Sequence, residues 1–250
     1  RRLPKPRAIL VVSAHWFIGS TAVTAMARPR TIHDFYGFPP ELFAFDYPAP
    51  GAPDVAAEVV ELLKPHWAGL DRDQWGLDHG TWSVLAHLYP EADVPVLQLS
   101  INALKPFDYH VELGARLAPL LDRGVMVVAS GNVVHNLGLV QWRSPDAAFD
   151  WAQRFDDAVA EQMTTDPGAI LKVTEHPDYS LAVPTPEHFI PLLYLAGLAA
   201  ARGGARPLLR GYSMGSLSMT SYGVGADLPT QAGDDAAGLP PGVPPDQTNT

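Results

Sequence analysis

No cysteine occurs in the 250 residues, which excludes a disulfide framework, a thiolate nucleophile, an Fe–S cluster and a Cys-based zinc finger. Any metal must then be held by nitrogen and oxygen. Basic residues are also few: 17 Lys and Arg stand against 27 Asp and Glu, a formal charge of -10. Such a chain is poorly matched to nucleic acid or to an anionic membrane surface, both of which select basic faces. No apolar run approaches the roughly 20 residues of a membrane span. Ile9–Val12 is followed at once by Ser13, His15 and Trp16, too short a run for a signal-peptide core. With neither cysteine nor a targeting segment, the cytoplasm is the expected location.

What is present reads as alternating strands and helices. Ala8–Val12, Val94–Leu99 and Gly124–Ser130 are apolar runs of the kind buried on both faces of a sheet. Pro53–Leu63 places Val55, Val59, Leu62 and Leu63 on one stripe, and Tyr109–Leu121 repeats leucine at three- and four-residue intervals. Further helices are expected at Gly80–Leu88, Phe149–Met163 and His188–Ala201. The pattern predicts a single α/β domain over 1–224, with a central mostly parallel or mixed sheet covered by helices on both faces. Residues 225–250 hold four aspartates, no Lys or Arg, and repeated Gly and Pro, and are expected to form a flexible tail. Thr31–Pro53 carries five prolines and six aromatic residues, a composition that suits either a binding wall or a small satellite core.

The polar residues at strand ends carry the chemistry. His15 follows the first apolar run, and Asn132–Asn136, with His135 inside it, follows the third; ligands of open α/β sheets bind outside such carboxyl ends. His188, after Pro184–Glu187, is expected at a helix start, where a neutral imidazole can bind metal. His79 sits between Asp78 and Gly80, flanked by Trp75 and Trp82, and His33 and Asp34 adjoin the aromatic stretch. His66, His87, His110 and His176 have no comparable setting. Each of these histidines, taken alone, is equally readable as a partly buried structural residue. Gly211–Gly215 matches the G-x-S-x-G elbow of α/β-hydrolases, but no histidine follows Ser213, so the chain order of that triad is absent. No H-E-x-x-H spacing occurs either.

Taken together, Val12-Ser-Ala-His-Trp16, Thr31-Ile-His-Asp-Phe35, Tyr47-Pro-Ala-Pro-Gly51, Leu77-Asp-His-Gly-Thr-Trp82, Ala129-Ser-Gly-Asn-Val-Val-His-Asn-Leu137, Thr185-Pro-Glu-His188 and Met214-Gly-Ser-Leu-Ser218 resemble the DOPA 4,5-dioxygenase-like members of the class III extradiol ring-cleavage dioxygenases. The resemblance runs from about residue 8 to 223. It implies a non-haem Fe(II) site, sometimes filled by zinc in purified members, in which His15 and His188 match two metal ligands. His135 matches a histidine beside the metal, treated as an additional ligand or as the acid–base group, and His79 matches a further catalytic histidine. The family's third ligand lies in a Gly-His-Gly-Ser-Pro loop after a strand that precedes the one at Ala8. This sequence contains neither. The reading therefore expects an upstream segment carrying both, without which the first strand would border an unfilled place in the sheet.

The implied reaction joins a catechol and dioxygen at one iron and opens the ring beside the diol. An imidazole-rich site leaves adjacent positions on Fe(II) for both reactants, and histidine suits proton transfer near neutral pH. Trp16, His33, Asp34, Phe35 and Trp82 are expected to contact substrate. Two other readings stay open: a zinc-dependent hydrolase using the same histidines, and a non-catalytic binding protein on the same scaffold. The particular catechol and the oligomeric state are left open.

Overall fold

The computed structural model describes residues 5–225. Apart from Gly225, the tail expected over 225–250 lies outside them. In chain order the elements are β1 (Ala8–Ile18), β2 (Ala22–Thr24), α1 (Pro40–Phe43), α2 (Pro53–Leu63), β3 (Gly69–Asp71), α3 (His79–Leu88), β4 (Val96–Asn102), α4 (Phe107–Arg116), α5 (Pro119–Asp122) and β5 (Val125–Ser130). There follow α6 (Asp150–Thr165), α7 (Tyr179–Ala182), α8 (Ile190–Arg202) and four short strands, β6 (Arg206–Leu209), β7 (Tyr212–Ser213), β8 (Leu217–Ser218) and β9 (Ser221–Gly223). The helix expected over 109–121 is broken at Leu117 and Ala118 into α4 and α5, with Pro119 opening the second. A proline there lacks the N–H that would have continued the first.

Five strands form one mixed sheet in the order β3-β2-β4-β1-β5. β1 pairs in parallel with β4 and β5, and β2 meets β4 antiparallel. Ile9, Leu10, Val11 and Val12 have no exposed surface, and burying each is worth roughly 1.5–3 kcal/mol. Their side chains alternate between two cores, as a strand's period of two requires. Leu10 and Val12 pack with buried residues of α2, α4, α6 and α8, whereas Ile9 and Val11 pack with Leu77, Trp82, Leu85 and Tyr47. The sheet is thus covered on both faces by helices, as the apolar runs predicted.

One expectation is corrected. β1 is an interior strand with a partner on each side, so it borders no open place in the sheet; among the described residues the edges are β3 on one side and β5, free beyond its pairing with β1, on the other. The reason is that the run at Val125–Ser130, also apolar, occupies the position beside Ala8–Ser13 in register. A groove of about 940 Å³ follows that free edge, lined among others by Met126, Val128, Leu192, Leu195 and Tyr222. No helix of the described residues is long and apolar enough to cross a membrane.

Candidate metal centre

Four histidines from four places in the chain converge at the carboxyl-terminal part of β1 and just beyond the end of β5. His15 lies within β1, which continues past it to Ile18, with the register against β4 interrupted between Val12 and Phe17. The strand therefore does not stop at His15, as its apolar run suggested; the irregularity occurs where the imidazole projects. Ser13 Oγ accepts the His15 backbone N–H at 3.3 Å.

His79 is the first residue of α3. The preceding Asp78 caps that helix, accepting the Thr81 N–H at 3.1 Å through its side chain, which satisfies a donor the helix cannot pair internally. Asp78 is fully buried and is held by Gln98, whose Nε2 donates to Asp78 Oδ2 at 2.7 Å while its Oε1 accepts the Asp78 N–H at 2.8 Å. Gly80 lets this helix end lie against β1, since a Cβ there would stand 2.6 Å from Ser13 Oγ and 2.8 Å from His15 Cδ2.

His188 precedes α8, in the turn from Pro186 to Ile190, rather than inside the helix. Its carbonyl accepts the Asn132 N–H at 2.9 Å, and a Cβ on Gly131 would collide with that carbonyl and with Pro191. His135 is fixed by its own backbone: its N–H donates to the Ala182 carbonyl at 2.9 Å, and Ser218 N–H donates to the Val134 carbonyl at 3.0 Å. The Ser218 hydroxyl in turn donates to Asp156, a fully buried carboxylate that also accepts from Thr220 Oγ1 at 2.8 Å and Arg210 Nη2 at 2.6 Å.

The rings form a chain of contacts. The centroids of His79 and His15 are 3.9 Å apart, those of His15 and His188 are 5.2 Å apart at right angles, and those of His188 and His135 are 3.6 Å apart and nearly parallel. Two carboxylates join them. Asp34 Oδ2 lies 3.2 Å from His15 Nδ1 and Asp34 Oδ1 lies 3.0 Å from His79 Nδ1, with the His79 backbone N–H donating to Oδ1 at 2.9 Å. The buried His79 Nδ1 meets that oxygen in a contact too bent for a straight hydrogen bond. Glu187 Oε1 lies 3.2 Å from His188 Nδ1 and accepts from Thr185 Oγ1 at 2.6 Å.

These neighbours set the charges. Burial works against ionising Asp34, but its contacts with His15 and His79 outweigh burial and hold the carboxyl well below the usual range. The bond to His188 likewise lowers Glu187, to about 2. Burial, followed by the charge of His188, lowers His135 to about 4. Imidazole and carboxylate donors with no sulfur suit a borderline or hard divalent cation. One donor atom each from His15, Asp34 and His79 lies within 4.8 Å of the other two, a spacing from which a group of this kind can take a metal. His135 and His188 do not converge in the same way: ring nitrogens donate in the ring plane, and two parallel planes 3.6 Å apart must tilt before both lone pairs meet one ion.

The aromatic residues occupy two places. Phe35 packs edge-on to His79 at 5.4 Å and lies 6.0 Å from Trp82, whose Nε1 donates to the Ile32 carbonyl at 2.8 Å. His33 is 5.9 Å from both Phe35 and Trp82, and its Nε2 pairs with the Phe45 carbonyl at 2.8 Å. Trp16 is 3% exposed, and its ring stacks on another tryptophan, Trp75, at 5.7 Å. The roles of Gln98, Asp156 and Ser218 in fixing the histidines escaped sequence reading. The Asp–His–Gly–Thr string contains the signal for the helix cap, but no local pattern pairs Asp78 with Gln98 or Asp156 with Ser218.

The family model described as the catalytic LigB subunit of aromatic ring-opening dioxygenase matches residues 1–225. A protein of Escherichia coli K12 named 4,5-DOPA dioxygenase extradiol is 48% identical over 230 residues, covering 89% of this chain and 84% of the relative. A Beta vulgaris protein of the same name is 38% identical over 224 residues, covering 87% of this chain and 82% of the relative. A solved structure of an uncharacterized Escherichia coli K12 protein superposes with a TM-score of 0.77 at 44% identity, covering 89% of this chain and 88% of that one.

Proposed function

The chain belongs to the LigB family of aromatic ring-opening dioxygenases, and from that premise we propose that it cleaves a catechol, DOPA or a related diol, in the extradiol position using dioxygen and one Fe(II). The observation that carries the reading is the convergence of His15, His79, His135 and His188, from β1, α3, the loop after β5 and the turn before α8. Its support from relatives is the name shared by the Escherichia coli and Beta vulgaris proteins.

His15 and His188 would hold the ion, with His135 beside it as a further ligand or as the proton-transfer group; zinc would fit the same donors. Fe(II) would supply adjacent coordination positions that bring the two diol oxygens and dioxygen together. The chain's own residues orient the reactants and handle the protons. His135, held neutral through the neutral pH range by burial, meets a diol as a proton acceptor rather than as a cation. His79 stands on the opposite side of His15, where it serves substrate or oxygen. Phe35, backed by Trp82, offers an aromatic surface next to His79 for the substrate ring, and His33 braces that wall through Phe45. We place this work in the cytoplasm.

The test is anaerobic loading with Fe(II) followed by a catechol and air. Oxygen uptake that requires both iron and the catechol supports the proposal. Hydrolysis of an ester or amide dependent on zinc, with no oxygen uptake under any loading, would replace it with the hydrolase reading.

A further inference from the structure

We infer that Asp34 is a positioning residue that sets the tautomers of both His15 and His79, rather than a residue that contacts substrate. One carboxylate lies against the same ring nitrogen of two imidazoles: Oδ2 is 3.2 Å from His15 Nδ1, and Oδ1 is 3.0 Å from His79 Nδ1. It is also tied to the backbone, because the His79 N–H donates to Oδ1 at 2.9 Å.

An ionised carboxylate can only accept hydrogen bonds. With an acceptor-only carboxylate 3.2 Å from one Nδ1 and 3.0 Å from the other, the tautomer with the proton on Nδ1 avoids setting two lone pairs against each other, and it leaves Nε2, across the ring, as the free lone pair. Asp34 thus turns two histidines at once into Nε2 donors, and the second interaction on the far nitrogen fixes ring orientation as well. The two rings are 3.9 Å apart between centroids, close enough that one carboxylate reaches both without moving. The loop delivering Asp34 is itself anchored, since Thr31 bridges to Leu77 and donates to Asp46 at 2.6 Å. The loop is therefore held independently of either imidazole.

A direct ligand role for Asp34 is the competing arrangement, because its oxygens lie within reach of a shared ion. It is disfavoured by how those oxygens are already used. Both face ring nitrogens and one also takes a backbone N–H, so a shared ion would have to enter between the carboxylate and the two rings it already faces. The inference rests on the metal reading of the site only where affinity is measured; the tautomers are a property of the metal-free protein.

The experiment is imidazole NMR of 15N-histidine-labelled, metal-free protein at a pH of about 8, with Fe(II) titration alongside. In the wild type, His15 and His79 should both show protonated Nδ1 and unprotonated Nε2. A proton on Nε2 of either ring in the wild type overturns the inference, and this arm needs no variant. In Asp34→Asn the amide can accept from one ring only and must present its NH2 to the other. At least one of the two histidines should then shift its proton to Nε2, and Fe(II) affinity should fall by about 10–100-fold, the scale for losing such a supporting partner. Asp34→Glu, which keeps the acceptor-only carboxylate, should retain the wild-type tautomers. Unchanged tautomers in a folded Asp34→Asn overturn the inference, whether accompanied by a rise in catechol KM, which would make Asp34 a substrate contact, or by complete loss of metal, which would make it a ligand. Failure of the wild type to bind Fe(II) counts against the proposed function and leaves the tautomers to decide the role of Asp34.

Discussion

The two halves of the histidine cluster are built from the same side chain and treated differently. On the α3 side, His15 and His79 share the single carboxylate of Asp34. On the α8 side, His188 alone has a carboxylate partner, Glu187, while His135 stacks on His188 and is lowered to about 4 by burial. A carboxylate behind an imidazole fixes its tautomer and orientation; a second imidazole against its face, in a buried place, keeps it uncharged. The difference teaches that position in the fold, and not residue type, decides whether an imidazole faces a carboxylate or is kept uncharged by burial.

The largest expected effect breaks that comparison at its ligands. His15→Ala or His188→Ala should abolish stoichiometric Fe(II) binding, whereas His135→Ala should keep most of the iron and lose about 10²-fold or more in turnover, the scale of a positioned proton-transfer group. Elemental analysis beside single-turnover rates measures both. If His135→Ala loses metal as completely as His15→Ala, His135 is chiefly a ligand and the proton-transfer role moves to His79.

A smaller effect sharpens the contrast between buried neutral histidines and paired ones. His110, fully buried with Nδ1 3.1 Å from the Tyr194 hydroxyl, is lowered by burial to about 4, as is His135. The unfolded chain, with histidines near 6.5, binds more protons than the folded one between about pH 4 and 6.5, so stability rises with pH across that window and is lost as pH falls through it. From pH 7 to 5 each group should remove about 2 kcal/mol. This range lies above the window of Asp34 and Glu187, whose lowered values act only as pH falls below the ordinary carboxylate range. In metal-free protein, urea midpoints at the two pH values should show that His110→Phe removes about half of the loss that these two histidines account for. An unchanged pH dependence in that variant would show that His110 does not titrate as a buried neutral group.

The smallest effect concerns support for His79. Asp78→Ala removes a helix cap and unpairs the buried Gln98 amide, which should cost about 1–2 kcal/mol of stability. Catalysis should fall with it, because the same cap starts the helix that carries His79. A thermal melt together with kcat separates this from a purely local catalytic loss; full stability and full activity in the variant would remove Asp78 from the account.

The apolar runs at Ala8, Val96 and Val125 were legible because strands buried on both faces are continuous in sequence, and the stripes of α2 and α4 because they repeat at helical spacing. The order of the strands was less so. Nothing in Val125–Ser130 announces that it pairs beside β1, and the place expected to be open next to β1 is filled by β5. The four site histidines were found by their positions after strands and before helices and by resemblance. Their carboxylate arrangement was not, because Asp34 reaches His79 across 45 residues of chain and no local rule scores such a pair. Asp34 and His33 were both expected to contact substrate; the structure places Asp34 beside the imidazoles of His15 and His79 and pairs His33 with the Phe45 carbonyl.

The central claim is ring opening by dioxygen at an iron held by these histidines, and labelled dioxygen tests it most directly. Fe(II)-loaded protein turned over with a catechol under 18O2 should yield a ring-opened product carrying both labelled atoms, and His188→Ala should yield none. A product that takes its oxygen only from water, or equal labelled product from His188→Ala, would contradict the account.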